Sequence, residues 1–128
     1  MSKPFCHHIH LACRDLQGMI EFWEKVFEAT FEKFHKFGAI DGAMMDINSG
    51  ATKLFLKTVP PDKPDYAAPA CGFEHLGIMV PDLDATLDLI RSLPNASVTK
   101  EPFFSGVRRC AFVAGPEGML LELLQADA

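Results

Sequence analysis

A chain of 128 residues, 48% hydrophobic and 23% charged, has the length and composition of one soluble globular domain, large enough to bury a core without a metal or disulfide to hold it. Twelve basic against seventeen acidic residues give a net charge of -5, and no basic run exceeds Arg108-Arg109, so no nucleic-acid partner is expected. No apolar run approaches the ~18 residues that cross a bilayer, and Met1 to Phe5 lead into Cys6-His7-His8 without a basic-then-apolar leader, which reads as a cytoplasmic protein with no membrane partner.

The first predicted strand, residues 8–13, alternates strictly, with His8, His10 and Ala12 on one face and Ile9, Leu11 and Cys13 on the other. Asp15 can cap a helix whose apolar stripe, Leu16, Met19, Ile20, Trp23, Val26 and Phe27, runs at spacings of three and four to about Glu28. Strands are expected near residues 30–36, 43–48 and 52–58, broken by Gly38, Gly42 and Gly50. Residues 60–71 form a linker, holding four of the nine prolines. Beyond it come a strand at 74–80, a helix opened by Pro81-Asp82 with Leu83, Leu87 and Ile90 inward, and strands near 97–100, 107–113 and 119–125.

The second half repeats the first. An offset of 67 positions puts His8 on His75, Leu11 on Ile78, Asp15 on Asp82, Leu16 on Leu83, Phe37 on Phe104, Met45 on Phe112 and Leu54 on Leu121, with no gap required. The expectation is an α+β fold of two β-α-β-β-β modules, 5–59 and 72–126, paired within a single domain into a cup-shaped mixed sheet, since neither module alone can hide both sheet faces. Cys6, Cys13, Cys71 and Cys110 form no Cys-x-x-Cys pair and read as reduced, small apolar residues inside strands.

Three polar residues sit in apolar surroundings. Glu122 shares a strand face with Leu120 and Leu124, and an unpaired buried carboxylate costs several kcal/mol, so it reaches solvent or faces a cation. His75 shares a face with Gly77 and Met79, and the repeat places His8 at its counterpart. A lone core histidine is ordinarily just hydrogen-bonded. Two imidazoles and one carboxylate with total charge -1 instead suit a divalent first-row ion with open positions.

These residues carry a resemblance. The run from His8 to Leu16, with Ile20-Glu21-Phe22-Trp23 after it, resembles the opening strand and helix of the vicinal oxygen chelate superfamily, and the run from Phe112 to Leu123 is similar to its closing hairpin. That superfamily includes glyoxalase I, methylmalonyl-CoA epimerase, extradiol dioxygenases, fosfomycin-resistance enzymes and bleomycin-binding proteins. The resemblance implies a cup around one divalent ion (Zn, Ni, Mn or Fe(II)), with His8, His75 and Glu122 matching the ligand positions, and a cup often formed across a dimer interface.

Relatives similar to glyoxalase I carry a fourth ligand on the last strand of module one, where this chain has Phe55, leaving the His, His, Glu set of dioxygenases and fosfomycin-resistance enzymes. Extradiol dioxygenases place a tyrosine where this chain has Phe112, and the only tyrosine, Tyr66, lies in the linker. His10 and His35 are candidate pocket histidines, whereas His7 faces away from His8 and His10. Lys53 and Lys57, beside Phe55, and Arg108 and Arg109 form either a solvated rim or a lure for an anionic substrate.

The reading is a metal-dependent lyase or isomerase acting on vicinal oxygens of a small molecule, with His8, His75 and Glu122 as ligands, Glu122 and His10 as catalytic groups, and Phe55, Lys53, Lys57, Phe112 and Arg108 in the substrate pocket. A ring-cleaving Fe(II) dioxygenase is the alternative. A metal-free binding protein that holds an aromatic or cationic compound on Trp23 or the phenylalanines is the third reading. A homodimer is expected, because single-module-pair relatives close their apolar sheet edges by pairing.

Overall fold

The computed structural model describes residues 3–47, 51–65 and 71–127. Gly50, Tyr66 and most of the second half of the proline-rich linker lie outside them. The chain forms two compact units, Met1–Lys63 and Pro64–Ala128. The first contains β1 (His8–Cys13), α1 (Leu16–Phe27), β2 (Thr30–Phe37), β3 (Ile40–Asp46) and β4 (Lys53–Thr58). The second contains β5 (Leu76–Val80), α2 (Leu83–Arg91), β6 (Ser97–Ser105), β7 (Arg108–Ala114) and β8 (Leu120–Gln125), with a 3-10 turn at Pro116–Gly118. The predicted order β-α-β-β-β is present in both.

Each unit holds a four-stranded mixed sheet, ordered β1-β4-β3-β2 in the first and β5-β8-β7-β6 in the second. The outer pairs β1·β4 and β5·β8 are parallel and the remaining pairs antiparallel. A parallel partner needs a crossover, and the helix begins it in each unit. Asp15 accepts from the Gly18 amide at 2.9 Å and Asp82 from the Ala85 amide at 3.1 Å, so both helices open on the predicted caps. Gln125 of β8 ties the second helix to its sheet, accepting from the Leu83 amide at 2.8 Å and donating to the Pro81 carbonyl at 2.7 Å.

The helix-facing side of each sheet is the core. In the first unit Met19, Ile20, Trp23 and Val26 bury themselves with Cys13, Ala43, Met45, Leu54 and Leu56; in the second Leu83, Leu87 and Ile90 do so with Val80, Ala111, Val113, Leu121 and Leu123. Phe22, outside the predicted stripe, is buried too, its ring edge-on to Trp23 and Phe27. Trp23 has no exposed surface, and among the described residues its indole nitrogen finds no acceptor. This removes Trp23 from any ligand-binding role, because α1 buries it against the sheet.

The repeat is not gapless. Strand registers place Met44 opposite Phe55 and Phe112 opposite Glu122, so the counterpart of Phe112 is Met44 and not Met45. The turn glycines agree: Gly38 (φ 65°) and Gly106 (φ 64°) open equivalent two-residue hairpins 68 positions apart. The extra residue enters at an irregularity between Lys100 and Phe103 in β6 that β2 lacks, and a β7–β8 connection one residue shorter than β3–β4 restores the offset of 67. β6 runs to Ser105, past the expected end at residue 100, matching the full length of β2 plus the one extra residue. Cys13 and Cys110 are buried strand residues, but Cys6 and Cys71 lie outside the strands and are exposed.

Asp84, in the first turn of α2, accepts from Arg109 of β7 at 2.8 Å, and that hydrogen bond holds its carboxyl below the ordinary value of 3.8. A lowered folded-state value stabilises above the unfolded value and is lost as pH falls through the carboxylate range. Asp84→Asn should therefore lower the melting temperature slightly at neutral pH, with the difference from wild type shrinking as pH falls below the ordinary value of 3.8. Thermal melts across pH 2–7 check this.

Candidate metal and substrate site

On the sheet face away from α2, the second unit brings together His75, which directly precedes β5, with Glu122 and Phe112. Parallel pairing of β5 with β8 sets Gly77 beside Glu122, and antiparallel pairing sets Phe112 on its other side. His75 Nε2 stands 3.4 Å from Glu122 Oε1, and His75 Nδ1 stands 2.9 Å from Glu74 Oε1. The side chains of His75 and Glu122 are only 28% and 20% exposed, so the pair is partly removed from water. The Phe112 ring meets the imidazole edge-on at 5.3 Å and stacks on Phe103.

A carboxylate can only accept, so Glu74 takes a hydrogen bond from Nδ1–H, and in the neutral ring Nε2 is left with its lone pair. That lone pair faces a second carboxylate. At this distance a nitrogen lone pair against an oxygen anion needs a positive centre between them, which a second ring proton or a bound metal ion supplies. Two ligands on a tetrahedral ion at ~2.1 Å each stand about 3.4 Å apart, so the donors and their spacing fit a divalent metal. Among the described residues no three His, Cys, Asp or Glu side chains are grouped to hold an ion.

In the first unit the equivalent face carries His8 and His10 of β1 beside Lys53, Phe55 and Lys57 of β4. Phe55 occupies the register position of Glu122 and stacks on His8, ring centroids 4.2 Å apart and planes within 19°. His10 packs against Phe37 at 4.6 Å and lies 6.1 Å from His8. Desolvation first, then the charge of Lys57 and of His8, hold His10 below the ordinary imidazole value of 6.5, so it favours the neutral form, able to take a proton. His35 turns its ring edge to Phe37 and lines an open hollow with Leu16, Phe34, Lys36, Asp41 and Gly42, at the far side of the sheet from β1.

Three of the candidate cations are occupied. Lys53 bonds Glu32 at 2.6 Å and lies 3.6 Å from Asp46, and the Glu32 hydrogen bond raises its ammonium above the ordinary range. Arg108 donates to the Gln125 carbonyl at 2.6 Å and reaches Asp127 at 3.4 Å, fastening the end of β8. Arg109 is held by Asp84.

Sequence reasoning passed over two residues. His7 precedes β1, so strand alternation does not govern it, and it does not turn away: its Nδ1 is 3.0 Å from His8 Nδ1 and its carbonyl accepts from the Lys53 amide at 3.0 Å. Glu74, its counterpart at the offset of 67, does the same for His75. The signal was present in the repeat itself, which aligns His7-His8 with Glu74-His75.

With this geometry in view, comparison with known proteins is decisive. The family model for the Glyoxalase/Bleomycin resistance protein/Dioxygenase superfamily matches residues 6–123. The chain belongs to that superfamily. Among solved structures it is similar to a glyoxalase family protein from Bacillus cereus (21% identity, 97% of this chain and 95% of that one, TM-score 0.81) and to a fosfomycin resistance protein from Mesorhizobium loti (17%, 96% and 91%, TM-score 0.70). It is also similar to a mutant glyoxalase I from Zea mays (21%, TM-score 0.80), where 96% of this chain matches 46% of that one. These likenesses show the superfamily's fold. A comparison with curated protein sequences finds no match. No helix is long and apolar enough to cross a membrane among the described residues.

Because Phe55 lies against His8, a carboxylate in its place would stand beside that imidazole. Phe55→Glu is expected to raise affinity for Zn²⁺ or Ni²⁺ by calorimetric titration, because it adds a carboxylate donor beside the His8 imidazole. Phe55 is only half-buried, so the loss of packing should stay below the ~3–5 kcal/mol of a full core deletion. A parallel melt verifies that the variant is folded.

Proposed function

We propose that this chain is a metal-dependent enzyme that chelates vicinal oxygens of a small substrate, a glyoxalase-like lyase or isomerase, with His8, His75 and Glu122 as ligands to one divalent ion. The observation that carries the reading is His75 Nε2 set 3.4 Å from Glu122 Oε1, the spacing of two ligands on one ion. Placing His8 as third ligand rests on the repeat, which makes it the counterpart of His75, and on the superfamily. A divalent ion bound there supplies Lewis acidity to substrate oxygens.

The chain's own groups then have assignable tasks. His10, favouring its neutral form, is the candidate proton acceptor on the His8 face, and Glu122 is both ligand and second candidate base. Lys57, beside Phe55 on that face, is the cation for an anionic substrate group, since Lys53 is committed to Glu32 and Asp46. Phe55 and Phe112 supply apolar walls and no exchangeable proton. Phe112 opposite Glu122 also counts against the ring-cleaving dioxygenase, which would want a phenol there.

Reconstitution with Zn²⁺, Ni²⁺, Mn²⁺ or anaerobic Fe(II), followed by elemental analysis, should find about one ion per chain, and His75→Ala should abolish it. Full occupancy in the variant would overturn the assignment of His75. No uptake by wild type would favour the metal-free binding protein, and oxygen uptake on catechols with Fe(II) would favour the dioxygenase. A homodimer belongs to the same proposal. Exposed Phe34 and Phe104 lie on the edge strands β2 and β6, the positions that pairing would cover, and light scattering should return twice the chain mass at micromolar concentration.

A further inference from the structure

We propose that Glu74 and His7 are positioning residues that fix which nitrogen each neighbouring imidazole presents, holding His75 and His8 with the proton on Nδ1 and the lone pair on Nε2. The proposal rests on the metal reading above only for what those lone pairs meet. Its foundation is a coincidence of the repeat. The residue immediately before each histidine, His7 in one unit and Glu74 in the other, contacts the Nδ1 of the next ring, at 3.0 Å and 2.9 Å. The two residues differ in chemistry but share the capacity to accept a hydrogen bond.

For His75 the direction follows from the partner, because a carboxylate has no proton to give. For His8 the Nδ1–Nδ1 contact requires one donor and one acceptor, and we assign His8 as donor, which makes the two rings alike. The assignment has a chemical purpose. A free neutral imidazole side chain favours its Nε2–H form, which cannot ligate through Nε2, so an acceptor at Nδ1 reverses the preference before any ion arrives. Rotation is restricted as well: Phe55 lies flat on His8, Phe112 stands edge-on to His75, and the Lys53 amide anchors the His7 backbone. The Glu74 side chain is 53% exposed, so its contribution to stability as a surface pair is small and the contact is better explained by orientation.

The test uses metal-free full-length protein. Long-range ¹⁵N imidazole spectra at alkaline pH report the tautomer of each histidine, and calorimetric titration with Zn²⁺ reports affinity. Wild type should show Nδ1–H at His75 and His8. Glu74→Ala should move His75 toward Nε2–H and weaken Zn²⁺ binding about 10–100-fold, and Glu74→Gln, whose amide oxygen can still accept, should restore both. His7→Ala should act likewise on His8, with rescue by His7→Asn. An unchanged His75 tautomer in Glu74→Ala, or a Gln variant as impaired as the Ala variant, would overturn the proposal. If wild type shows the expected tautomers yet binds no Zn²⁺, the metal reading falls and the positioning role stands; normal Zn²⁺ binding with unaltered tautomers in the variants does the reverse.

Discussion

Everything that concerns function here depends on one pairing: in each unit the first strand lies parallel to the last. A hairpin cannot make that contact, so the chain must leave the first strand through a helix and return through two antiparallel strands. The crossover helix covers one face of the sheet with Trp23 and its neighbours in one unit, and with Leu83, Leu87 and Ile90 in the other. The opposite face is thereby released from core packing. It is also the face that carries His8 stacked on Phe55, and His75 facing Glu122.

The duplicated frame has been used for different ends. At equivalent positions of the last strand, one unit has an aromatic ring, paired in register with His10, and the other a carboxylate, paired with Gly77. The ring stacks on His8 and lends it no donor, whereas Glu122 confronts His75 with a negative charge. One scaffold thus yields a packed imidazole in one unit and an imidazole facing a carboxylate in the other. The flanking positions diverge in the same way, since Lys53 is neutralised by Glu32 and Asp46 while Arg108 is drawn to the chain end.

Much of this was legible in the sequence because period-two and period-3.6 patterns report burial directly. Cys13 and Val80 close strands whose alternation was plain, and Asp15 and Asp82 cap helices for reasons local to a few residues. Glu122 stood out against leucines for the same reason. What alternation could not report was any residue outside a strand. His7 was assigned a face it does not have, because it precedes β1 and its ring is free to turn back onto His8. Cys6 and Cys71 failed likewise. The gap in the repeat was hidden because an inserted residue in β6 is compensated by the shorter β7–β8 connection, leaving both ends of the alignment intact.

Charge partners were the other blind spot, and they matter most for how the site is read. A lysine next to a presumed ligand looks, in sequence, like a substrate anchor, yet Glu32 sits in β2, 21 positions away, and reaches Lys53 only because β3 and β4 bring the two together. The same long-range pairing explains why Glu122 survives among leucines. Its neighbour across the parallel pair is Gly77, without a side chain, and its neighbour across the antiparallel pair is Phe112, without a polar atom, so neither flank can neutralise it. Among the described residues the polar group turned toward it is the imidazole of His75, which Glu74 also contacts. Two carboxylates share that one imidazole, so the cluster is short of positive charge, and it is this shortage, more than the identity of any one residue, that supports the proposal of a cation on this face.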